Sequence, residues 1–227
     1  MKVVVSIGGS VLVPELKADR VAAYAAVLES LIDAGHDLAV VVGGGPAARD
    51  YIGAGRELGA NEIELDQLGI AVTRLNARLL IAALGEQAAP TPPEDHETAR
   101  EALRRGDVPV MGGTEPGHTT DAVGTALAEY TDADLVVYAT SVPGVYDADP
   151  NEDPDAMMYD EMTAAELVSL VSDLEVDAGS NAPVDLLAAK LLERAGLNAV
   201  VVGGDDPESV RRAVDGDHDG TTIVPGS

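Results

Sequence analysis

A chain of 227 residues with 46% hydrophobic side chains can bury a large core, and its 40 acidic against 14 basic residues give a formal net charge of −26. Such a surface repels nucleic acid and anionic membrane, so neither is an expected partner; the acids are spread along the chain as a solvated shell, which reads as adaptation to high salt. The absence of cysteine excludes disulfides, thiolate metal sites and a Cys nucleophile, and without Phe or Trp few rings remain on which a base could stack. Lys2–Ile7 reads as a first strand entered without a signal-peptide layout, and no 18-residue apolar run follows, so a cytoplasmic location is expected. Next come a helix over Asp19–Asp33, a strand over Asp37–Val42, and helices over Pro46–Gly59 and Asn61–Leu84. Pro90, Pro92 and Pro93 mark a surface connection before a helix over Glu94–Arg105 and a strand over Val108–Met111. A helix over Thr119–Tyr130 and a strand over Leu135–Ala139 lead to the acidic loop Asp147–Asp160, long enough to be a functional flap. Helices over Thr163–Ser172 and Pro183–Ala195 and a strand over Asn198–Val202 complete the pattern. Apolar strands alternating with helices predict an α/β fold: one domain over 1–227, a three-layer α/β/α sandwich around a mainly parallel sheet.

Three glycine-rich turns fall at the carboxyl ends of strands, the edge where open α/β sheets bind ligands: Gly8-Gly9-Ser10, Gly43-Gly44-Gly45, and the loop after Met111. The third is the most informative. Gly112, Gly113 and Gly117 let backbone N–H groups approach an anion, while Thr114, Thr119, Thr120 and the positive end of the following helix add donors. Either Thr119 or Thr120 caps that helix. Asp121 in its first turn stabilises the helix and repels a phosphate unless a cation lies between them. Arg49, in the helix after the second turn, either reaches a phosphate or is a surface charge. Neither G-x-x-x-x-G-K-[ST] nor a G-x-G-x-x-G opening the first helix is present, which disfavours P-loop and dinucleotide-binding folds. His36, His96 and His218 read as structural or exposed, and His118, inside the anion loop, as a candidate site residue. The Asp217-His218-Asp219 cluster lacks a matching distant ligand for a metal.

Gly8-Gly9-Ser10, Gly43-Gly44-Gly45 with Arg49, the Thr114–Asp121 loop, Gly144-Val145-Tyr146 with Asp149-Pro150, and Gly220-Thr221-Thr222-Ile223 together resemble the amino acid kinase superfamily. Ser10–Pro14, Asp66 ahead of Gly69-Ile70, Thr73–Ala77 and Gly113–Asp121 resemble its archaeal uridylate kinase branch. The resemblance implies phosphoryl transfer from ATP to UMP in pyrimidine nucleotide biosynthesis, with Mg2+ bridging the nucleotide phosphates and no protein metal ligand assigned. It implies that UMP is held by Gly44, Asp66, Thr114, Glu115, Pro116, Gly117, His118, Thr119 and Thr120, with Asp66 on the ribose. It assigns ATP to Gly9, Ser10, Gly45, Arg49, Thr140, Ser141, Tyr146 and Asp149, and catalysis to Arg49, Asp121 and Lys190. Residues 1–130 would then form mainly the acceptor lobe and 131–227 mainly the ATP lobe, in a homohexamer.

Two departures from the family stand out. Many members carry a lysine where this chain has Ser6, and a second family lysine corresponds to Asp185, as in uridylate kinases generally. Lys190 is one substitute. The family's Asn and Asp after the fourth strand are here Ser141 and Pro143. Two other readings stay open: a kinase for carbamate, acetylglutamate or isopentenyl phosphate, and a nucleotide-binding module without turnover, which the missing lysine favours.

Overall fold

In the computed structural model, residues 1–148, 150, 153, 155–176 and 184–226 are described. They run β1 (Lys2–Ile7), α1 (Gly9–Leu12), α2 (Ala18–Asp33), β2 (Asp37–Val42), α3 (Gly45–Glu57), α4 (Glu62–Leu84), a 3-10 turn (Gly85–Gln87), α5 (His96–Arg104), β3 (Val110–Met111) and α6 (Thr120–Thr131). The remainder is β4 (Leu135–Thr140), β5 (Glu161–Thr163), α7 (Ala164–Val176), α8 (Leu186–Ala195), β6 (Ala199–Gly203), α9 (Glu208–Asp215) and β7 (Thr221–Val224).

The strands form one sheet in the order β3-β2-β1-β4-β6-β7-β5, parallel at every described pairing except β6 with β7. Successive strand residues point to opposite faces. Val3, Val5 and Ile7 of β1 accordingly join a core closed by α2, α4 and α9, whereas Val4 joins a second core closed by α5, α6, α7 and α8. Two cores on one sheet make the expected three layers. The run Val108–Met111 yields a ladder only at Val110–Met111, with Val108 in an isolated bridge to Ala88.

Caps explain the helix boundaries. Asn61 and Glu64 form a reciprocal capping box at the start of α4 (3.1 and 2.8 Å). Asp95 accepts from Thr98 N–H at 2.7 Å and starts α5 at His96, two residues later than its sequence pattern suggests. By length and composition α4 could also cross a membrane, but it packs on α2 and α3 and supplies polar side chains to the glycine turns. β1 lies between β2 and β4, so the chain leaves it toward one side first and reaches the other later. Such a switch point opens a crevice at the carboxyl ends of the strands.

Candidate active site

The first two glycine turns touch. A Cβ on Gly9 would lie 2.1 Å from Gly45 N and 2.5 Å from Gly43 C, so only glycine lets these backbones meet. Gly45 has φ +63°, a conformation that also favours glycine. Beneath them the buried Asn76 amide donates to Gly43 O (2.8 Å) and Gly44 O (3.2 Å) and satisfies the turn's carbonyls.

The third loop is tied to α4 at two points. Thr73 Oγ1 accepts Gly113 N–H (2.7 Å), with Arg74 Nε donating to Gly113 O (3.2 Å); farther along, Gly117 N–H donates to Asp66 Oδ2 (2.8 Å). Thr119 is the cap of α6, accepting from Ala122 N–H at 3.0 Å, and its hydroxyl donates to Asp185. Asp185 in turn caps α8, accepting from Leu187 N–H (2.8 Å) and Ala188 N–H (3.0 Å). Thr73, Asn76 and Asp185 gained no site role from sequence. Their signal was polar side chains in an otherwise apolar helix and a cap-type Asp.

Two clefts adjoin on this edge. The larger, about 310 Å³, is lined by Gly44, Asp66, Glu115, Gly117, His118, Thr119 and Thr120, and also by Gly45 and Arg49. The smaller, about 230 Å³, is lined by Gly9, Ser10, Asp121, Thr140 and Ser141, and again by Thr119 and Thr120. Arg49 Nη1 donates to Ser10 Oγ at 3.2 Å and so links the two. Thr140 Oγ1 donates to Val142 O (2.7 Å) and shapes its own loop.

Several expected residues lie elsewhere. Gly45 lines the larger cleft instead of the smaller one. Thr114 and Pro116 belong to the loop but line neither cleft, and half-buried Tyr146 bridges to Met158. Lys190 is exposed on α8 and lines neither cleft, whereas Ala188, Ala189 and Leu192 of that helix face the core. Asp149 lies outside the described residues, as does part of the acidic loop. His218 Nδ1 accepts from Gly220 N–H (3.2 Å), and Nε2 meets Thr222 Oγ1 (3.3 Å), which holds the turn before β7. A further concavity, about 380 Å³, is an apolar one between α2 and α4, away from every glycine turn.

Asp121 is part-buried and accepts from the buried Ser6 Oγ at 2.8 Å. Burial pushes its pKa up to about 7; the Ser6 hydrogen bond opposes the shift and the charge of Asp185 adds to it. A carboxyl whose native pKa exceeds its unfolded value favours folding most at low pH. Its contribution is full below about pH 4 and is lost as pH rises through about 7. Asp121→Asn should flatten that slope and be the more stable protein at pH 8, by no more than about 4 kcal/mol. Denaturant unfolding of both proteins at pH 5 and 8 measures this; identical pH dependence would remove Asp121 as the source.

The sequence pattern of the amino acid kinase family matches residues 1–203. This chain belongs to the amino acid kinase family. It is 66% identical over 226 residues to the uridylate kinase of Haloarcula marismortui, covering 99% of each chain. Identity to the uridylate kinase of Methanothermobacter thermautotrophicus is 50% over 225 residues, covering 99% of this chain and 100% of that one. The crystal structure of uridylate kinase from Archaeoglobus fulgidus matches with a TM-score of 0.90 at 46% identity, covering 99% of this chain and 100% of that one. In this amino acid kinase fold the smaller cleft opens at the β1–β4 switch point and the larger one beside it, over the ends of β2 and β3.

Proposed function

We propose that this chain is a uridylate kinase, transferring the γ-phosphoryl group of ATP to UMP to give ADP and UDP. The observation that carries this reading is the pair of adjoining clefts that share Thr119 and Thr120, with the glycine turns meeting beside them. Full-length relatives named uridylate kinase support the choice of UMP. UMP occupies the larger cleft, with Gly117 N–H and the Thr119 and Thr120 hydroxyls beside its phosphate, and the ATP phosphates enter the smaller one over Gly9 and Ser10. In this reading residues 1–130 serve mainly the acceptor, while also lending Gly9 and Ser10 to the smaller cleft, and 131–227 serve mainly ATP.

An oxygen of the UMP phosphate attacks the γ-phosphorus, and the bond to the β–γ bridging oxygen breaks as ADP leaves. Positioning and neutralisation of charge carry most of such catalysis. Arg49 supplies a cation beside Ser10. Mg2+ bound with the nucleotide would supply further charge neutralisation there.

The protein works in pyrimidine nucleotide biosynthesis in the cytoplasm of a salt-adapted cell. We assign it a homohexameric assembly, for which Ile63, Leu75 and Leu79 of α4, 57%, 58% and 40% exposed, offer apolar contacts to a second copy.

A coupled assay of ADP release in molar KCl, run with UMP, other nucleoside monophosphates, acetylglutamate, carbamate and isopentenyl phosphate, should show turnover greatest with UMP. Turnover with another acceptor alone would reassign the larger cleft, and tight ATP and UMP binding without UDP would make the protein a sensor. Asp66→Ala should weaken UMP by about 1.5–3 kcal/mol and leave ATP nearly unchanged, because a carboxylate that accepts ribose hydrogen bonds acts on one substrate only. Calorimetric titration of each ligand tests this, and equal weakening of both would mean that Asp66 only holds Gly117 in place.

A further inference from the structure

Asp121 occupies the wall of the smaller cleft next to Thr119 and Thr120, where that cleft meets the larger one. It is locked from behind. Ser6 Oγ donates to its Oδ1 from β1, and Thr125 Oγ1 donates to its backbone carbonyl at 2.7 Å while sharing a 2.5 Å hydrogen bond with the buried Tyr138 hydroxyl of β4. A Cβ on Gly124 would lie 3.3 Å from Ser6 Cβ, so α6 rests directly on β1 at this residue. From α8 the carboxylate of Asp185 faces the same region through Thr119, and it is the one charged neighbour that acts on Asp121 among the described residues.

An ionised Asp121 would thus meet a second carboxylate and incoming phosphates in a cleft that no Lys or Arg lines among the described residues, Arg49 standing in the larger one. A neutral acid would instead present an O–H. Since Oδ1 already takes the Ser6 proton, Oδ2 is the oxygen left to carry the acid proton. We propose that Asp121 is a neutral hydrogen-bond donor to the phosphoryl group as it passes between the two clefts, and that Ser6 is the positioning residue that fixes the orientation of its carboxyl. This rests on the kinase reading of the site. Asp121 is then the group touching the phosphoryl oxygen, and Ser6 acts through it. The raised pKa of Asp121 agrees with this arrangement, because burial and Asp185 both favour the protonated form.

The pH profile of kcat at saturating MgATP and UMP, in wild type, Ser6→Ala, Asp121→Asn and Asp121→Ala, tests the pair. Wild-type kcat should fall as pH rises through about 7. Asp121→Asn, a neutral donor of nearly the same shape, should lose less than about tenfold at pH 6.5 and show no such fall, whereas Asp121→Ala should lose about 100-fold or more. Ser6→Ala should lower kcat about tenfold at little-changed KM and raise the pH midpoint, because it removes the hydrogen bond that favours the charged form. Asp121→Asn as inactive as Asp121→Ala, or a wild-type rate that rises through pH 7, would show that the carboxylate is the working form and overturn the proposal. Carbon-13 titration of the Asp121 carboxyl, assigned by its loss in Asp121→Asn, needs no turnover: an unchanged midpoint in Ser6→Ala also overturns it. Wild type that forms no UDP at any pH sinks the kinase reading itself, which is a different failure.

Discussion

Gly9→Ala should abolish UDP formation. The added carbon would sit 2.1 Å from Gly45 N, and both partners are backbone, so no side-chain rotation relieves the clash. The two turns must move apart, and displacing reacting groups by about 1 Å lowers turnover by about 100-fold or more. Overpacking should also destabilise the fold by about 1–3 kcal/mol. Gly53→Ala is the matched control: it lies within α3 with nothing within 4 Å of the new carbon. Its turnover should stay at the wild-type level, with about 1 kcal/mol of added stability from helix propensity. Coupled assays and melting temperatures of both variants decide the matter, and Gly9→Ala with near-wild-type turnover would mean that the turns need not touch.

Arg49→Ala should collapse turnover at unchanged melting temperature. The side chain is exposed, and its one described hydrogen bond goes to the exposed Ser10, so little of the fold depends on it. Ser6 stands where many family members carry a lysine, and Lys190 lines neither cleft, which leaves Arg49 as the cation at their junction among the described residues. Removing a preorganised cation from a phosphoryl-transfer site lowers turnover by about 100-fold or more. Near-full turnover in Arg49→Ala would mean that Mg2+ and backbone N–H groups neutralise the charge unaided.

β1 and β2 end where their sequence pattern ends, β4 runs one residue longer, and β6 is shifted by one residue at each end. Continuous runs of buried Val and Ala leave little choice of state in these strands. β5 has three residues and β7 four, too short for any periodicity, and β7 declared itself only through its resemblance to the family. α9 also escaped notice: eight residues give a single apolar stripe of Val210, Ala213 and Val214 among charges. The glycine turns were legible because each joins a strand end to a helix start. Hydrogen bonds joining distant parts of the chain were not. Ser6 meets Asp121 across 115 positions and Thr119 meets Asp185 across 66, and nothing local in either segment announces its partner. Nor did the sequence announce that Lys190, next to the buried Ala188-Ala189 pair, stands exposed on the helix and outside both cleft linings.

Thr119 and Thr120 wall both clefts, so on the kinase reading the two nucleotides are expected to bind with coupled affinities. Whatever factor UMP imposes on the affinity for ATP, ATP must impose on the affinity for UMP. Dissociation constants measured one ligand at a time therefore describe a protein that never turns over, and a compound lodged in one cleft changes the dose needed to fill the other.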